Sequence, residues 1–437
     1  MSVSWQGDPA RLPADAAWAL VQARQAGLRW VDGPPTDTDC AIDALLGLRG
    51  RSGGAPMPWL ATLRDAPYPV LCVDLPSGLN PDTGDTAPPT PTLTPPRGPR
   101  HTLSLLTLKP GLFTAHGRDA AGQVWLDDLG VTPGDQDRPC AWLGGRTQAG
   151  SGKADHRHAG HKGSYGDVAV LGGESIDRAG AGMAGAAMLA ARAALHGGAG
   201  RVYLGLLDGP GHASLPYDPL CPELMCRSPE RITDSDLLRS SVLVCGCGGG
   251  SSIAAWMPLV LARAHRLVLD ADAINAIAND TGLHTLLAQR RARRWTTVIT
   301  PHPLEAARLT GCATADVMAD RLGAARSLAS RWGVICVLKG SGTVVAAPDA
   351  LPWINATGNA LLATAGTGDV LAGLIGAALA RGDDEPTTAT CRAVALHGAL
   401  ADRWPAGRAL LAGRLAGAIA PWYDRVSPAT SGPPAGQ

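Results

Sequence analysis

The sequence predicts an α/β protein of two three-layer domains, each with a largely parallel sheet between layers of helices. Three observations lead to this fold class. Apolar runs of four to six residues alternate with helical patterns along most of the 437 residues. These runs are apolar throughout, which indicates strands that are covered on both faces. Each run ends in Gly, Asp, Pro, His or Ser, and ligands of open α/β sheets bind outside the carboxyl ends of the strands.

Length and two polar segments predict how the chain is divided. At about 100–200 residues per domain, two or three domains are expected. The Pro/Thr-rich stretch 85–100 is typical of a long surface loop, and a second polar segment begins after Pro133. We therefore expect a first domain over 1–135, a linker over 136–158, a second domain over 159–425 and a disordered tail over 426–437.

The elements follow in order from periodicity and turn residues. In the first region we expect a helix over 15–26 and strands within 68–78, 101–108 and 122–131. The second region opens with a strand over 166–173 and a small-residue helix over 180–196. The strings RVYLGLL, SVLVCG, RLVLD, TVIT and VICVL predict further strands, and KGSGT joins VICVL to a strand in TVVAA. An apolar helix is expected after GTGD.

Composition excludes several classes of function. Lys and Arg together number 38, as do Asp and Glu, so no overall positive field exists to hold nucleic acid or an anionic membrane. No apolar run reaches the roughly 18 residues of a membrane span, and the first residues lack the regions of a signal peptide. Ten cysteines without a CxxC pair predict scattered, reduced, buried thiols rather than a zinc ribbon. These features predict a cytoplasmic protein.

The string ATAGTGDVLAGLIGAALA at 363–380 predicts a glycine-flanked loop that runs into a helix. Glycines allow a ligand to approach the backbone closely, and the first N–H groups of a helix attract anions. Asp369 lies in the predicted first turn. There it can accept a proton from a substrate hydroxyl while the amides hold a phosphoryl group. Capping of the helix is the alternative role for this carboxylate.

The turn KGSGT at 339–343 lies between two predicted strands. Such a loop can cradle nucleotide phosphates, and an ordinary hairpin with a solvated Lys339 is the alternative. It is not a Walker A loop, because Ser or Thr does not follow GK in the required frame. Lys339 is one of only four lysines in the chain, which marks it for attention.

Polar residues after two other strands are candidates for contacts with substrate or Mg²⁺. In TPHPLE, two prolines hold His302 and Glu305 opens the next helix. Glu305 can bind Mg²⁺ through water, and a turn with a helix-start carboxylate is the alternative. In VLDADAIN, Asp270 and Asp272 lie at the end of a predicted strand. One of them is a candidate contact for substrate or Mg²⁺, and capping is the alternative.

The glycines of VLVCGCGGGSS at 242–252 predict a close approach of backbone to ligand. A dinucleotide-redox fingerprint is disfavoured, because Ser251 stands where the last glycine of that motif is needed. The histidines of HRHAGH at 156–161 suggest either a metal cluster or, as the alternative, a solvated entry loop.

Taken in order, these strings resemble the NAD(P)H-hydrate dehydratase domain, which has a ribokinase-like fold. The resemblance covers about 160–422 and rests on seven motifs: HKGSYGDVAVLGG, GAAMLAARAALHGGAGRV, GCGGG, VLDADAIN, TPHPLE, LKGSGTVV and ATAGTGDVLAG. It implies ADP-dependent dehydration of (6S)-NADHX and (6S)-NADPHX by phosphorylation of the ring hydroxyl and loss of phosphate. It also implies Mg²⁺ and a homo-oligomer, a tetramer in the family.

The resemblance assigns roles to the matching residues. Asp369 matches the residue that activates the hydroxyl and contacts the hydrate. The positions that match adenine-nucleotide contacts are Lys339, Gly340, Ser341, Gly342, Thr343 and Gly368. The positions that match hydrate contacts are Ala186, His302 and a glycine of the 246–250 loop, for which we favour Gly248 or Gly250. The family has GPGLG in place of GCGGG and glycine in place of Leu304, and neither change removes a group that the chemistry needs.

The first region resembles the NAD(P)H-hydrate epimerase, the partner domain in the same bifunctional enzymes, and is expected to be a partial Rossmann-like domain. The matching strings are IDALLG, VDLPSGLNPDTG and LTLKPGLFTAHGRDAAGQVWLDDLGV. The resemblance implies that Asp43 and Ser77 contact K⁺, that Asp74 binds substrate, and that a loop with Gly47, Gly50 and Gly53 lies near its phosphates. The family's GNNGGDG loop does not occur in this sequence, so we expect a domain that is truncated at its start, either a fragment with a misplaced start or a degenerate domain, and that is inactive as an epimerase.

Two other functions compete with dehydration. One is a small-alcohol kinase on the same fold, which the paired epimerase-like region disfavours. The other is a non-catalytic nucleotide-binding remnant, which the intact GTGD and KGSGT strings disfavour. The partners that we expect are therefore NADHX, NADPHX and ADP, with no nucleic acid and no membrane.

Overall fold

The computed structural model describes residues 1–5, 8–33, 38–48, 57–86, 96–145, 149, 161–176, 180, 182–207 and 217–419. The chain divides into two compact units, Met1–Arg138 and Pro139–Gln437. The predicted tail over 426–437, two of the three predicted loop glycines (Gly50 and Gly53) and the histidines of HRHAGH other than His161 lie outside the described residues.

Unit 1 is a small α/β unit around a four-stranded parallel sheet. The strands are β1 (Ser2–Ser4), β2 (Arg29–Val31), β3 (Ala41–Asp43), β4 (Val70–Val73), β5 (Arg100–Leu105) and β6 (Gln123–Asp127). The main sheet has the order β3-β4-β5-β6, and β1 pairs with β2 in a separate parallel pair. The helices are α1 (Ala14–Gln25), α2 (Met57–Asp65) and α3 (Gly117–Ala121).

Unit 2 is built on a ten-stranded sheet of order β10-β9-β8-β11-β12-β13-β14-β15-β16-β7. Neighbours from β10 to β14 are parallel, β14–β15 and β15–β16 are antiparallel, and β7 joins β16 in parallel. The strands are β7 (Trp142–Gly144), β8 (Asp167–Glu174), β9 (Arg201–Leu207), β10 (Met225–Cys226), β11 (Val242–Cys245), β12 (Arg266–Leu269), β13 (Thr296–Ile299), β14 (Ile335–Leu338), β15 (Val344–Ala346) and β16 (Trp353–Asn355).

Helices cover this sheet on both faces. They are α4 (Ala184–His196), α5 (Pro229–Ile232), α6 (Ser235–Ser240), α7 (Met257–Arg263), α8 (Asp272–Asn279), α9 (Thr281–Ala292), α10 (Pro303–Thr310), α11 (Thr314–Ala319), α12 (Arg321–Trp332), α13 (Thr367–Arg381), α14 (Pro386–Asp402) and α15 (Ala412–Gly417). Short 3₁₀ helices lie at Pro9–Arg11, Pro110–Leu112, Lys162–Tyr165, Ser252–Ala255 and Ala360–Leu362.

Alternating side chains of the central strands divide the core of unit 2 into two layers. Val242 and Val244 join the buried cluster that includes α4, α13 and α14. Leu243 and Cys245 point to the opposite cluster, which includes α7, α9 and α12. Burial on both faces explains why these strands are apolar at every position rather than at every second one.

One expectation needs correction. The predicted linker over 136–158 contains β7, which pairs Trp142 with Trp353 at the edge of the large sheet. The predicted turn KGSGT joins β14 to β15 as a hairpin, because five residues are too few for a parallel crossover, so the largely parallel sheet has antiparallel neighbours on both sides of β15. The apolar helix expected after GTGD is α13, and α14 and α15 follow it because Gly382 in the left-handed conformation ends α13.

Among the described residues, the structure contains no helix that is both long enough and apolar enough to cross a bilayer.

Candidate active site

The carboxyl ends of four adjacent strands of unit 2 bring together polar side chains from distant parts of the sequence. Cys247 follows β11, Asp270 follows β12, Thr300 follows β13 and Lys339 follows β14. One donor atom each of Cys247, Asp270 and Asp369 lies within 4.8 Å of the others. The strand ends and the start of α13 therefore form one cluster, as the polar strand-end residues predicted.

Asp369 lies in the first turn of α13. The helix starts after Gly366, whose φ of 89° is in the left-handed region that favours glycine. Burial, followed by the negative charge of Asp270, raises the pKa of Asp369 to about 6. A hydrogen bond from Cys247 and the charge of Lys339 oppose this rise. A carboxylate with a pKa near neutrality beside an anion-binding helix terminus is suited to accept a proton.

Lys339 faces the cluster, and the solvated alternative is excluded. Its Nζ donates to Asp270 Oδ1 at 2.7 Å, and the Thr300 hydroxyl donates to the same oxygen at 2.6 Å. A Cβ added to Gly368 would lie 3.4 Å from Nζ, so the ammonium is also close to the α13 terminus. Burial lowers the pKa of Lys339, but the charges of Asp270 and Glu305 outweigh burial and the net shift is upward. The ion pair occupies Asp270 Oδ1 and leaves Oδ2 near Cys247 and Asp369, the three residues whose donor atoms lie close enough together to hold a metal ion.

The loop Gly340–Thr343 is a tight turn held from below by Arg321. Gly340 and Gly342 have φ angles of 133° and 64°. Arg321 is almost fully buried and donates through Nη2 to the carbonyls of Leu338 and Lys339 at 3.2 Å. Ser341 is exposed, and the Thr343 hydroxyl donates to the Gly340 carbonyl at 3.1 Å. The turn is rigid at its base and open at its tip.

His302 and Glu305 form a reciprocal cap at the start of α10. The ring Nδ1 of His302 accepts from the amides of Leu304 and Glu305 at 3.1 and 3.3 Å, and Glu305 Oε2 accepts from the His302 amide at 2.7 Å. Burial lowers the pKa of His302 and raises the pKa of Glu305. His302 is therefore neutral near pH 7, and its other ring nitrogen, Nε2, lies 3.4 Å from Glu305 Oε1.

The donor chemistry of Glu305 suits Mg²⁺ held through water. Its carboxylate is buried and commits Oε2 to the α10 cap, with Oε2 also 4.0 Å from Lys339 Nζ. The other oxygen, Oε1, lies 3.4 Å from His302 Nε2. Mg²⁺ retains several waters and uses few protein carboxylates when substrate phosphates are present. A single carboxylate with one committed oxygen fits that mode of binding.

The glycine loop 246–250 packs directly on α4 and on β8. Gly248 has φ 58°, and a Cβ there would lie 2.8 Å from the Cβ of Ala186. Gly250 has φ 54° and abuts the Glu174 carboxylate. The structure thus brings Ala186 and both favoured glycines together. It does not choose between the glycines.

Glu174 and Asp272 hold this loop in place. Glu174 Oε1 accepts from the Ser252 amide and hydroxyl at 2.9 and 2.5 Å and from the Ser251 hydroxyl at 3.2 Å. These bonds lower the pKa of Glu174, with the Ser252 hydroxyl as the largest cause. Asp272 Oδ2 accepts from the Gly250 amide at 2.8 Å, so it acts as a loop cap.

Sequence reasoning missed Cys247, Thr300 and Glu174. The sequence predicts Cys247 as one of the scattered buried thiols and Thr300 as the last residue of the strand TVIT. The available signal was position, because each of the three residues lies at or directly after the carboxyl end of a central strand. The pairs that they form join segments that are 23, 30 and 78 residues apart, which no local pattern shows.

Unit 1 has its own polar cluster, built on the strings IDALLG and VDLPSG. The Ser77 hydroxyl donates to Asp43 Oδ1 at 2.6 Å, and the Ser77 amide donates to Oδ2 at 2.9 Å. The Ser77 oxygen also accepts from the Leu46 amide at 3.0 Å. The two predicted K⁺ contacts therefore adjoin each other. Carboxylate and hydroxyl oxygens with spare lone pairs fit a hard cation such as K⁺.

Asp74 is engaged by a buried lysine. Lys109 Nζ donates to Asp74 Oδ1, and the Leu105 amide donates to the same oxygen at 3.0 Å. Lys109 also donates to the Leu105 carbonyl at 2.7 Å. Asp74 has a left-handed φ of 71°, which turns the chain at the end of β4. Gly47 is exposed, with nothing within 4 Å of a Cβ added there.

Comparison with family models gives a match to each unit. Residues 169–420 match the model described as NAD(P)H-hydrate dehydratase. Residues 2–111 match the model described as YjeF-related protein N-terminus. Together these two matches follow the order of the two resemblances found in the sequence.

Two proteins with similar sequences are also named as enzymes that act on NAD(P)H hydrates. The chain is 38% identical over 388 residues to a bifunctional NAD(P)H-hydrate repair enzyme of Escherichia coli, covering 84% of this chain and 68% of that enzyme. It is 40% identical over 267 residues to an ADP-dependent (S)-NAD(P)H-hydrate dehydratase of Neisseria meningitidis, covering 60% of this chain and 84% of that protein.

A solved structure shares the fold of unit 2. It is an ADP/ATP-dependent NAD(P)H-hydrate dehydratase from Bacillus subtilis, co-crystallised with ATP and Mg²⁺. It is 27% identical, with a TM-score of 0.53, and the match covers 66% of this chain and 99% of that one. The ribokinase-like fold implied by the sequence motifs is thereby confirmed.

Proposed function

This chain belongs to the family of bifunctional NAD(P)H-hydrate repair enzymes, and on that premise we propose that unit 2 dehydrates (6S)-NADHX and (6S)-NADPHX to NADH and NADPH, with ADP giving AMP and phosphate. One observation carries the proposal. Asp369, with its pKa raised to about 6, lies at the start of α13 beside the Lys339–Asp270 pair. A proton acceptor and an anion-binding terminus meet there, as phosphorylation of a hydroxyl requires.

The proposed reaction has two steps. In the first, Asp369 accepts the proton of the ring hydroxyl, whose oxygen bonds to the β-phosphorus of ADP while AMP departs with the electron pair of the broken P–O bond. In the second, the C–O bond of the ring phosphate ester breaks and phosphate leaves with the electron pair. A proton is lost from the neighbouring ring carbon as the double bond forms. The sum is hydrate plus ADP giving NADH, AMP and phosphate.

The nucleotide side of the site is formed by the hairpin turn and the α13 terminus. Gly340 to Thr343 offer backbone groups at an open turn, and Gly368 offers an amide beside Lys339. A phosphoryl group placed between them would receive the amides of α13 and the Lys339 ammonium. Mg²⁺ bound through water at Glu305 would neutralise part of the charge on the phosphates. ADP is the co-substrate in this proposal.

The hydrate side lies on the glycine loop. Gly248 and Gly250 have no side chain to separate a ring from the backbone, and Ala186 borders Gly248. His302 presents a neutral ring nitrogen from its rigid position at the start of α10. We propose that these groups position the hydrated nicotinamide ring with its hydroxyl toward Asp369.

Several further properties are proposed on the family resemblance alone. We expect a cytoplasmic homo-oligomer, with four subunits as in the family. We also expect K⁺ to occupy the Asp43–Ser77 cluster of unit 1 if that unit is functional.

An assay with each nucleotide tests the function. The purified chain is incubated with (6S)-NADHX and Mg²⁺, and with ADP, ATP or no nucleotide. We expect nucleotide-dependent recovery of NADH absorbance, with AMP formed in equal amount when ADP is used. A phosphorylated hydrate that accumulates without NADH would show that the site is a small-alcohol kinase. Nucleotide binding without any turnover would instead support the non-catalytic remnant.

A further inference from the structure

The ends of β11 and β12 and the start of α13 bring one thiol and two carboxylates together. Donor atoms of Cys247, Asp270 and Asp369 all lie within 4.8 Å of one another. Cys247 and Asp270 are buried, whereas Asp369 is only partly buried. This three-residue group therefore has contact with solvent on the side of Asp369.

One oxygen of the buried Asp270 carboxylate faces this group without a close partner. Lys339 and Thr300 both donate to Oδ1, at 2.7 and 2.6 Å. Among the described residues, the one hydrogen-bond donor to Oδ2 is Cys247 Sγ, at 3.9 Å. Asp270 is only 2% exposed, and buried anionic oxygens ordinarily have closer partners than this. Oδ2 therefore keeps bonding capacity that a ligand between it and the sulfur can use.

The spacing of these atoms is close to the spacing that Zn²⁺ requires. Tetrahedral Zn²⁺ with ordinary bond lengths to sulfur and oxygen places these two ligand atoms about 3.5–3.7 Å apart. The observed distance from Cys247 Sγ to Asp270 Oδ2 is 3.9 Å. A shift of roughly 1 Å in the partly exposed Asp369 carboxylate adds a third ligand. Water can take the fourth position, as in zinc sites with three protein ligands.

The donor set favours a thiophilic cation over Mg²⁺. Mg²⁺ prefers oxygen ligands, whereas thiolates select softer metals such as Zn²⁺. Coordination removes the thiol proton, and Zn²⁺ together with the Lys339 ammonium beside Asp270 then offsets the three negative charges of the ligands. Cys247 stands where the GPGLG motif of the family has proline, so this donor set is a property of this chain.

We propose that Cys247, Asp270 and Asp369 form a site for Zn²⁺, or for a divalent cation of similar affinity for thiolate, and that a cation bound there inhibits the dehydratase. The bound cation occupies the Asp369 carboxylate, which then cannot accept the proton of the ring hydroxyl. The site is separate from Mg²⁺ held through water at Glu305. Inhibition rests on the proposed function of Asp369, whereas binding of the cation does not depend on it.

The binding test uses nucleotide-free protein and Zn²⁺ itself, with Mg²⁺ in excess. Zn²⁺ affinity is measured by competition with a chromogenic chelator for wild type, Cys247→Ala and Cys245→Ala. Cys247→Ala should weaken the tightest site at least about 10–100-fold, the range for loss of groups that only support metal ligands. Cys245→Ala removes an equally buried thiol that points into the apolar layer with Leu243, and it should bind Zn²⁺ like wild type. Equal affinities for wild type and Cys247→Ala, or the same loss in both variants, overturn the site.

A spectroscopic measurement identifies the sulfur ligand directly. Co²⁺ in place of Zn²⁺ gives a thiolate-to-metal charge-transfer band in the near ultraviolet when a cysteine coordinates it. Wild type should show this band, and Cys247→Ser, which keeps the side-chain shape but has no thiolate, should lose it. If Cys247→Ala does not fold, this comparison decides. A band of equal intensity in Cys247→Ser overturns the proposal.

Inhibition is measured separately from binding. Zn²⁺ is added while NADH forms from (6S)-NADHX, ADP and Mg²⁺. Wild type and Cys245→Ala should lose activity at the Zn²⁺ concentrations that fill the site and regain it with a chelator, and Cys247→Ala should need at least about tenfold more Zn²⁺. Full activity in wild type with Zn²⁺ bound through Cys247 overturns the inhibitory role. A wild type that never forms NADH contradicts the proposed function instead, and the Zn²⁺ affinities still decide whether the site exists.

Discussion

Asp369 is the residue on which the chemistry depends, and its surroundings set the pH range in which it can act. A proton acceptor must be ionised, and the pKa of this carboxyl is raised to about 6 by burial and by Asp270. We therefore expect kcat/KM for (6S)-NADHX to fall about tenfold per pH unit below about pH 6 and to level off above it. The measurement is kcat/KM at saturating ADP between about pH 5 and about pH 8. A flat profile would contradict the role, and the exposed Asp349→Asn should leave the profile as in wild type.

Lys339 joins the nucleotide turn to the carboxylate cluster, so its loss should affect both. Lys339→Ala is expected to raise the KM for ADP more than the KM for the hydrate, because the ammonium adjoins the Gly368 terminus where phosphate would lie. It should also move the acid limb to higher pH, since the charge of Lys339 lowers the pKa of Asp369. Calorimetry with ADP provides the check. Unchanged ADP affinity would refute the assignment, and the exposed Lys162→Ala is the matched control.

Among the elements, helix α13 needs a fixed start, and α14 supplies part of it. His397 Nε2 lies 2.9 Å from the Thr367 carbonyl, and burial lowers the pKa of this imidazole to about 4. Between about pH 4 and about pH 6.5, the His397 ring therefore binds a proton in the unfolded chain and remains neutral in the folded chain. Above the pKa that His397 has in the unfolded chain, this ring does not reduce the free energy of unfolding. As the pH falls toward about 4, protonation of the ring in the unfolded chain lowers the free energy of unfolding.

The prediction from His397 concerns stability in acid. His397→Gln removes the titrating ring, so its free energy of unfolding should lose about 3 kcal/mol less than wild type between about pH 7 and about pH 4. Urea unfolding of both proteins across this range measures the difference. A His397→Gln slope equal to wild type would show that the ring is not held neutral.

Local sequence patterns were sufficient to predict the central elements of unit 2. Continuous apolar runs identify β8, β9 and β11 to β14 because both faces of these strands are buried, and strand ends carry polar residues because the site lies there. Short edge elements were harder to predict. β7 has only three residues, and it is stabilised by pairing with β16, which is more than 200 residues away in sequence. Its own sequence, WLG between polar segments, contains no signal of that partner.

The sequence predicted which residues are candidates for the site, but it did not predict which of them contact each other. Asp369, Lys339, His302 and the glycines were identified, because glycine turns and strand-end polar residues have local causes. The contact of Lys339 with Asp270 and the place of Cys247 depend on which strands are neighbours in the sheet. That order, with β8 between β9 and β11, is set by packing over the whole unit rather than by any one segment.

At the scale of the whole molecule, we expect unit 2 to be active as a dehydratase and unit 1 to be inactive as an epimerase. Unit 1 contains Asp43, Ser77 and Asp74, but Asp74, the residue expected to bind substrate, is paired with Lys109. A binding group that is committed to another side chain cannot position substrate, and positioning can be worth about 7–11 kcal/mol of rate acceleration. We therefore expect the 437-residue chain to recover NADH from the (6R) hydrate no faster than spontaneous epimerisation allows. Rapid, K⁺-dependent recovery from the pure (6R) form would contradict this expectation.

The most direct test of the central claim is the rate of NADH formation from (6S)-NADHX and ADP by wild type and by Asp369→Asn, with ADP affinity measured for both by calorimetry. The account predicts that Asp369→Asn binds ADP like wild type but turns over about 10²–10⁴-fold more slowly, the range for loss of a general base. Near-normal turnover in Asp369→Asn would contradict the assignment of Asp369 as the proton acceptor.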